Sequence, residues 1–218
     1  MYSIGKRHLI SHRTTIAYHI FFWTFSSILL FLTPLMQASH AQSRTTISKI
    51  DQIELRNGNE AADIWIRQFK KKSSEMKATP AYDKDAALNS LAKVNRQFAS
   101  ELNNSLKNLE NTYIRRCFRR QITELQDLAD FLELGATLIA AKKQNNKELL
   151  NSAISVLTIK DKDLREFYEP IGSMGEIDRR IINYVNIGES KIYEAINRID
   201  EASDDLEREV GIRFPDTR

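Results

Sequence analysis

The chain has 218 residues, of which 42% are hydrophobic and 28% charged, with 7 Gly, 4 Pro and 1 Cys. That composition excludes collagen-like, low-complexity and disulfide-stapled chains, and so few turn formers argue against an all-β sandwich or barrel. The formal net charge of +3 resides in residues 1–41, where Lys6, Arg7 and Arg13 are the only charged side chains; the remaining basic residues balance the 29 acidic ones, leaving no cationic excess for nucleic acid.

Residues 1–41 read as an export leader. A basic stretch, Met1 to His19, precedes the uncharged apolar run Ile20–Met36, and Ser39 and Ala41 supply small residues before a cut after Ala41. No cysteine follows the run, so a lipoprotein anchor is not expected. The alternative is an uncleaved anchor, since the run makes about 26 Å of helix at ~1.5 Å per residue, slightly under a ~30 Å hydrocarbon core. The expected location is the periplasm or extracellular space after cleavage, or the inner membrane with the rest facing the periplasm. Residues 42–218 are expected to form a single α-helical domain with a short tail from Gly211.

In chain order, Ile47, Ile50 and Ile53 predict a short first helix, and Ala61, Ile64, Trp65 and Phe69 a second, with a turn at Asn57-Gly58-Asn59 between them. Lys77 to Tyr82, with Pro80, is a loop. Asp83 or Asp85 is placed to cap a third helix, whose apolar positions are Leu88, Leu91, Phe98, Leu102, Leu106, Leu109 and Tyr113. No proline interrupts Asp83 to Lys143, so this is one very long helix or two. The phase slips over Ile114 to Ile122, which places a kink or break there. Phe131 to Ala141 is apolar nearly all round and belongs at the centre of the core. After Gln144-Asn145-Asn146, the residues Leu149, Leu150, Ala153, Ile154 and Leu157 make a shorter helix, and Pro170 to Gly175 is a second loop.

The last helix, Glu176 to Val210, is the clearest. Val185, Ile192, Ile199 and Leu206 recur by seven, with Gly188, Ala195 and Ala202 three residues later in each heptad. Large residues alternating with small ones permit close approach of a partner helix, inside the bundle or on a second copy. The expected fold is all-α: an elongated helical bundle with long, coiled-coil-like antiparallel helices.

All four histidines (His8, His12, His19 and His40) lie in the leader. The rest of the chain therefore has no Ser-His-Asp or Cys-His relay, no His-containing zinc site and no Glu-x-x-His di-iron site. Gly172-Ser173-Met174-Gly175 lacks the glycine pair of a dinucleotide turn and the lysine of a P-loop. Asp83-Lys84-Asp85 and Asp161-Lys162-Asp163 lack the mid-loop glycine of a calcium loop and read as helix starts. Gly188-Glu189-Ser190 is similar to the Glu-Ser pair of lytic transglycosylases, although that family's Gly-Leu-Met-Gln stretch is absent. Glu189 is thus the one candidate acid for a carboxylate-based peptidoglycan hydrolase. No catalytic residue, cofactor or metal ligand is expected.

Cys117 sits among Arg115, Arg116, Arg119 and Arg120. Those charges favour thiolate, and in an oxidising compartment a lone thiol can form an intermolecular disulfide; buried, it would simply pack. The arginines suit lipid phosphate or a partner's carboxylates, or pair internally with Asp200, Glu201, Asp204, Asp205, Glu207 and Glu209 of the last helix. Ile64 to Lys72 reads as a core-facing helix or a membrane-surface contact.

The expected function is that of an exported, non-enzymatic helical protein acting by protein–protein interaction in the cell envelope, of adaptor, chaperone-like or inhibitor/immunity type. Its partner would be an envelope or periplasmic protein or a second copy of itself, not nucleic acid. The expected interface residues are Val185, Ile192, Ile199, Leu206, Arg115, Arg116, Arg119, Arg120, Trp65 and Phe69. The alternative is a membrane-anchored helical sensor or ligand-binding domain.

Overall fold

The computed structural model describes residues 47–156, Phe167 and residues 169–211. The segment read as an export leader, Leu157, the Asp161-Lys162-Asp163 segment and the tail beyond Gly211 lie outside the described residues. The chain divides between Gln42 and Ser43 into two units, and every described residue belongs to the second.

The described residues form five α-helices and no strand: α1 (Lys49–Ala78), α2 (Asp85–Leu106), α3 (Thr112–Lys143), α4 (Lys147–Val156) and α5 (Met174–Val210), with a 3-10 turn at Ala81–Asp83. The unit is an all-α helical bundle. α3 is its centre, packing on α2, α4 and α5, while α1 packs on α2. Pairings at the helix ends show the antiparallel order. Lys143 Nζ at the end of α3 reaches Asp85 at the start of α2 at 2.7 Å, and Lys142 reaches Asp178 at the start of α5 at 2.7 Å. At the other end of α3, Arg120 pairs with Asp205 near the end of α5. Phe131 to Ala141 lies in the core as expected, with Leu132, Leu138 and Ala141 fully buried. No helix among the described residues is long and apolar enough to cross a membrane.

α1 runs unbroken through Asn57-Gly58-Asn59, where the sequence predicts a turn. An interior glycine costs a helix about 1 kcal/mol relative to alanine. Burial of Leu55, Trp65 and Phe69 along the same helix outweighs it, at roughly 1.5–3 kcal/mol per large apolar side chain. The isoleucines do not form the inner face of the first turns: Ile50 and Ile53 are 46% and 41% exposed, while Asp51 and Glu54 are buried.

Those two carboxylates hold the α2–α3 turn. Asp51 Oδ1 accepts the backbone N–H groups of Glu110 and Asn111 at 2.8 and 3.0 Å, and Glu54 Oε1 accepts from Asn108 Nδ2 at 2.7 Å. Burial alone would raise the Asp51 pKa, but the hydrogen bonds from Asn111, Glu110 and Ser48 together hold it below the usual carboxylate value. The break between α2 and α3 therefore falls at residues 107–111, ahead of the expected Ile114–Ile122, through which α3 is continuous. Asn111 caps α3 by accepting the N–H groups of Tyr113 and Ile114 at 2.9 and 3.2 Å. Neither Asp83 nor Asp85 caps α2, whose N-cap is Lys84. Both aspartates instead pair with Lys143, at 3.5 and 2.7 Å.

α5 starts with a capping box between Ser173 and Glu176 and ends at Gly211, whose φ of +70° suits a residue without a Cβ. The seven-residue seam is buried at Ile192, Ala195, Ile199, Ala202 and Leu206. Gln121 of α3 donates to Ser203 Oγ at 3.0 Å on the same face. One heptad earlier Val185 is 40% exposed, and Tyr184 and Ile181 are buried in its place. A straight α-helix drifts ~20° per heptad against a strict seven-residue repeat, so the inner stripe moves off Val185.

The close helix approach lies at Gly135 rather than Gly188. A Cβ built on Gly135 would stand 2.1 Å from Tyr184 Cζ, whereas one on Gly188 would meet nothing nearer than 3.8 Å. The Tyr184 ring lies directly over the α3 backbone because position 135 has no side chain.

Candidate functional site

α1 and α5 close the bundle only partly. They do not pack extensively on one another, and between them runs a groove of about 670 Å³. Its α1 wall carries Trp65, Phe69 and Met76, Leu88 of α2 lies below, and Tyr184, Gly188 and Ile192 form the α5 wall.

The aromatic floor is held rigidly. Trp65 Nε1 donates to Asn95 Oδ1 at 2.9 Å, and Asn95, fully buried on α2, donates in turn to Leu91 O at 3.0 Å. The indole stacks on Phe98 at 5.1 Å and tilts against Phe69 at 5.3 Å. On the opposite wall Tyr184 packs on Phe131 at 4.7 Å. A buried indole N–H left unsatisfied would be costly, so Asn95 fixes the ring plane that the groove presents.

The rim is charged. Lys77 Nζ lies 3.1 Å from Glu189 Oε1 and 5.9 Å from the centre of the Tyr193 ring, a clasp between the walls. The hydrogen bond to Glu189 pushes the Lys77 pKa up against an opposing effect of burial. Lys70, Lys84, Ser73 and Ser74 complete that rim, and Asp200 lies among the α5 lining residues. The arrangement suits non-covalent binding of an apolar body with a polar end. Glu189 is exposed and engaged with Lys77. Among the described residues no cluster of His, Cys, Asp and Glu suits a metal ion.

Of the residues singled out in the sequence, the fold brings Trp65, Phe69, Val185 and Ile192 together in this groove. Ile199 and Leu206 are buried further along α5. The four arginines lie elsewhere, on the first turns of α3. Arg115 donates to Leu109 O at 3.2 Å, Arg116 stacks 6.0 Å from the Tyr113 ring, Arg120 pairs with Asp205 and Glu201, and Arg119 is exposed. Cys117 is buried, and burial pushes its thiol up to about 12 despite the pull of Arg120. A thiol in that environment favours its protonated form.

Tyr184, Leu88, Lys77 and Tyr193 were not legible as site residues. Lys77 falls in a predicted loop, and Tyr184 breaks the seven-residue pattern. The signal that was present, glycine at position 188, reads as a packing seam until the neighbouring helix is placed. The chain matches no protein-family model, no curated protein and no solved structure.

Proposed function

We propose that residues 42–218 are an exported, non-catalytic binding module of the cell envelope whose recognition site is the α1–α5 groove. The observation that supports this most directly is the groove itself, about 670 Å³ with an aromatic floor fixed by the Trp65–Asn95 hydrogen bond. Ligand pockets span roughly 300–1,000 Å³ and are mostly apolar with a few placed polar groups. The reading joins the two expectations drawn from the sequence, since a groove of this kind serves either a partner's apolar group or a small ligand.

Photo-crosslinking residues placed at Val185 and Tyr193 in the groove, and at exposed Gln126 on α3, test this in the native cell. Adducts should form from the groove positions and not from Gln126. Equal labelling from all three refutes the assignment.

A further inference from the structure

Arg115, Arg116, Arg119 and Arg120 follow one another within the N-terminal turns of α3, and no acidic residue occupies the first turn of that helix. Arg115 and Arg119 stand four residues apart, as do Arg116 and Arg120, so like charges lie beside each other along the helix surface. Both features oppose folding, because like charges at that spacing repel and the positive end of a helix disfavours cations.

The bundle offsets the repulsion at one residue of the four. Arg120 pairs with Asp205 and Glu201 of α5. Arg115 donates one N–H group to Leu109 O, a neutral acceptor, and Arg116 lies over the Tyr113 ring. Arg119 is exposed. Among the described residues, no carboxylate forms an ion pair with Arg115, Arg116 or Arg119. The four arginines nevertheless line one hollow of about 430 Å³, together with Thr112 and Glu110. Glu110 is the only carboxylate in that lining and is itself exposed. Asp205 and Glu209 line the adjoining hollow between α3 and α5, which Arg116 and Arg120 also border.

We infer that the hollow at the start of α3 is an anion site whose ligand carries a terminal phosphate group. Three guanidinium groups without a carboxylate partner stand there against the single Glu110. A carboxylate ligand brings one charge and two acceptor oxygens, whereas a phosphate monoester brings about two charges and three oxygens. The planar guanidinium fork binds such oxygens in pairs, and the Thr112 hydroxyl adds a neutral donor. The hollow shares no lining residue with the α1–α5 groove, so the two sites stand or fall separately.

Thermal melts and calorimetry on the full chain test this, with sodium phosphate against sodium chloride at matched ionic strength. Phosphate should raise the melting temperature of the native chain, and Arg116→Gln/Arg119→Gln should abolish that response. In chloride alone the glutamine variant should melt no lower than the native chain, since the repulsion is relieved. Arg116→Lys/Arg119→Lys keeps the charge and removes the fork; it should bind phosphate about tenfold more weakly, equivalent to ~1.4 kcal/mol. Sedimentation with vesicles containing phosphatidic acid, against phosphatidylcholine alone, distinguishes the sources of the phosphate. Capture of the native chain above the glutamine variant on phosphatidic acid alone assigns it to a lipid headgroup, and a response to inorganic phosphate without that excess assigns it to a soluble ligand. Both chains contain residues 20–36, so the comparison cancels any uptake by that run.

Equal phosphate binding by the native and lysine chains reduces the hollow to a diffuse positive surface and overturns the proposal. A glutamine variant that melts lower in chloride assigns the arginines to the fold and overturns it too, as does a native chain indifferent to both inorganic phosphate and phosphatidic acid.

Discussion

Alanine introduced at Gly135 and at Gly188 should shift stability in opposite directions. At Gly188 the new methyl would sit 3.8 Å from Tyr184 and 3.9 Å from Phe131, ordinary contact distances. Exchanging glycine for alanine inside a helix then contributes about 0.5–1 kcal/mol of stability. At Gly135 the methyl would lie 2.1 Å from Tyr184 Cζ and 2.4 Å from Cε1. The ring can clear the methyl only by giving up its packing on Phe131 at 4.7 Å and Phe167 at 6.4 Å and turning toward the groove. Overpacking of this kind costs about 1–3 kcal/mol, and the helix-propensity gain offsets only part of it. The net expectation is a loss of about 1–2 kcal/mol for Gly135→Ala. For a domain of this size, 1 kcal/mol moves Tm by about 2–4 °C. Urea titrations followed by circular dichroism, with thermal melts beside them, should separate the two variants by at least about 1.5 kcal/mol. Shifts of the same sign in both would refute the assignment of close approach to Gly135 and ordinary contact to Gly188.

Removing the Asp51 carboxylate should loosen the α2–α3 turn. Asp51→Ala leaves the Glu110 and Asn111 N–H groups to water, and charge-assisted hydrogen bonds of this kind are worth about 1.5–3 kcal/mol each when buried, less when water can replace them; a loss of about 2 kcal/mol in a urea titration is expected, and a loss under about 0.5 kcal/mol contradicts the role. Because the folded Asp51 pKa is lowered below its unfolded value of 3.8, its contribution is complete above that value and fades as pH falls through the folded pKa, so native chain and Asp51→Asn should converge in strong acid. A gap between them that widens toward acid reverses the sign and rejects the linkage. Asn95→Ala should cost about 1–3 kcal/mol by stranding the buried Trp65 N–H, with a change in indole fluorescence; an unchanged spectrum and melting point would show that the ring is held by packing alone. Cys117, its thiol pushed up to about 12, should resist iodoacetamide in the native chain and react on unfolding, and rapid native alkylation would place it at the surface.

The helical character, the centrality of Phe131 to Ala141 and the α5 seam from Ile192 to Leu206 were legible from the sequence, because each depends on a local period. Breaks and caps were less so. Asn57-Gly58-Asn59 carries a turn signal that the packing of Leu55, Trp65 and Phe69 overrides. The true break at residues 107–111 is held by Asp51, which is more than fifty positions away in sequence. A carboxylate that satisfies backbone groups on another element leaves no periodic trace near the turn it supports.

The groove was decided by tertiary structure alone. Trp65, Phe69, Val185 and Ile192 were each visible as apolar positions, but periodicity states that a face is apolar and not what covers it. Whether α1 and α5 meet depends on how far α2 and α3 hold them apart, and on Tyr184 settling over Gly135. Composition and spacing determined a helical chain whose histidines all lie within its first 41 residues. The contacts between helices remote in sequence determined that two of them part far enough to leave a cleft.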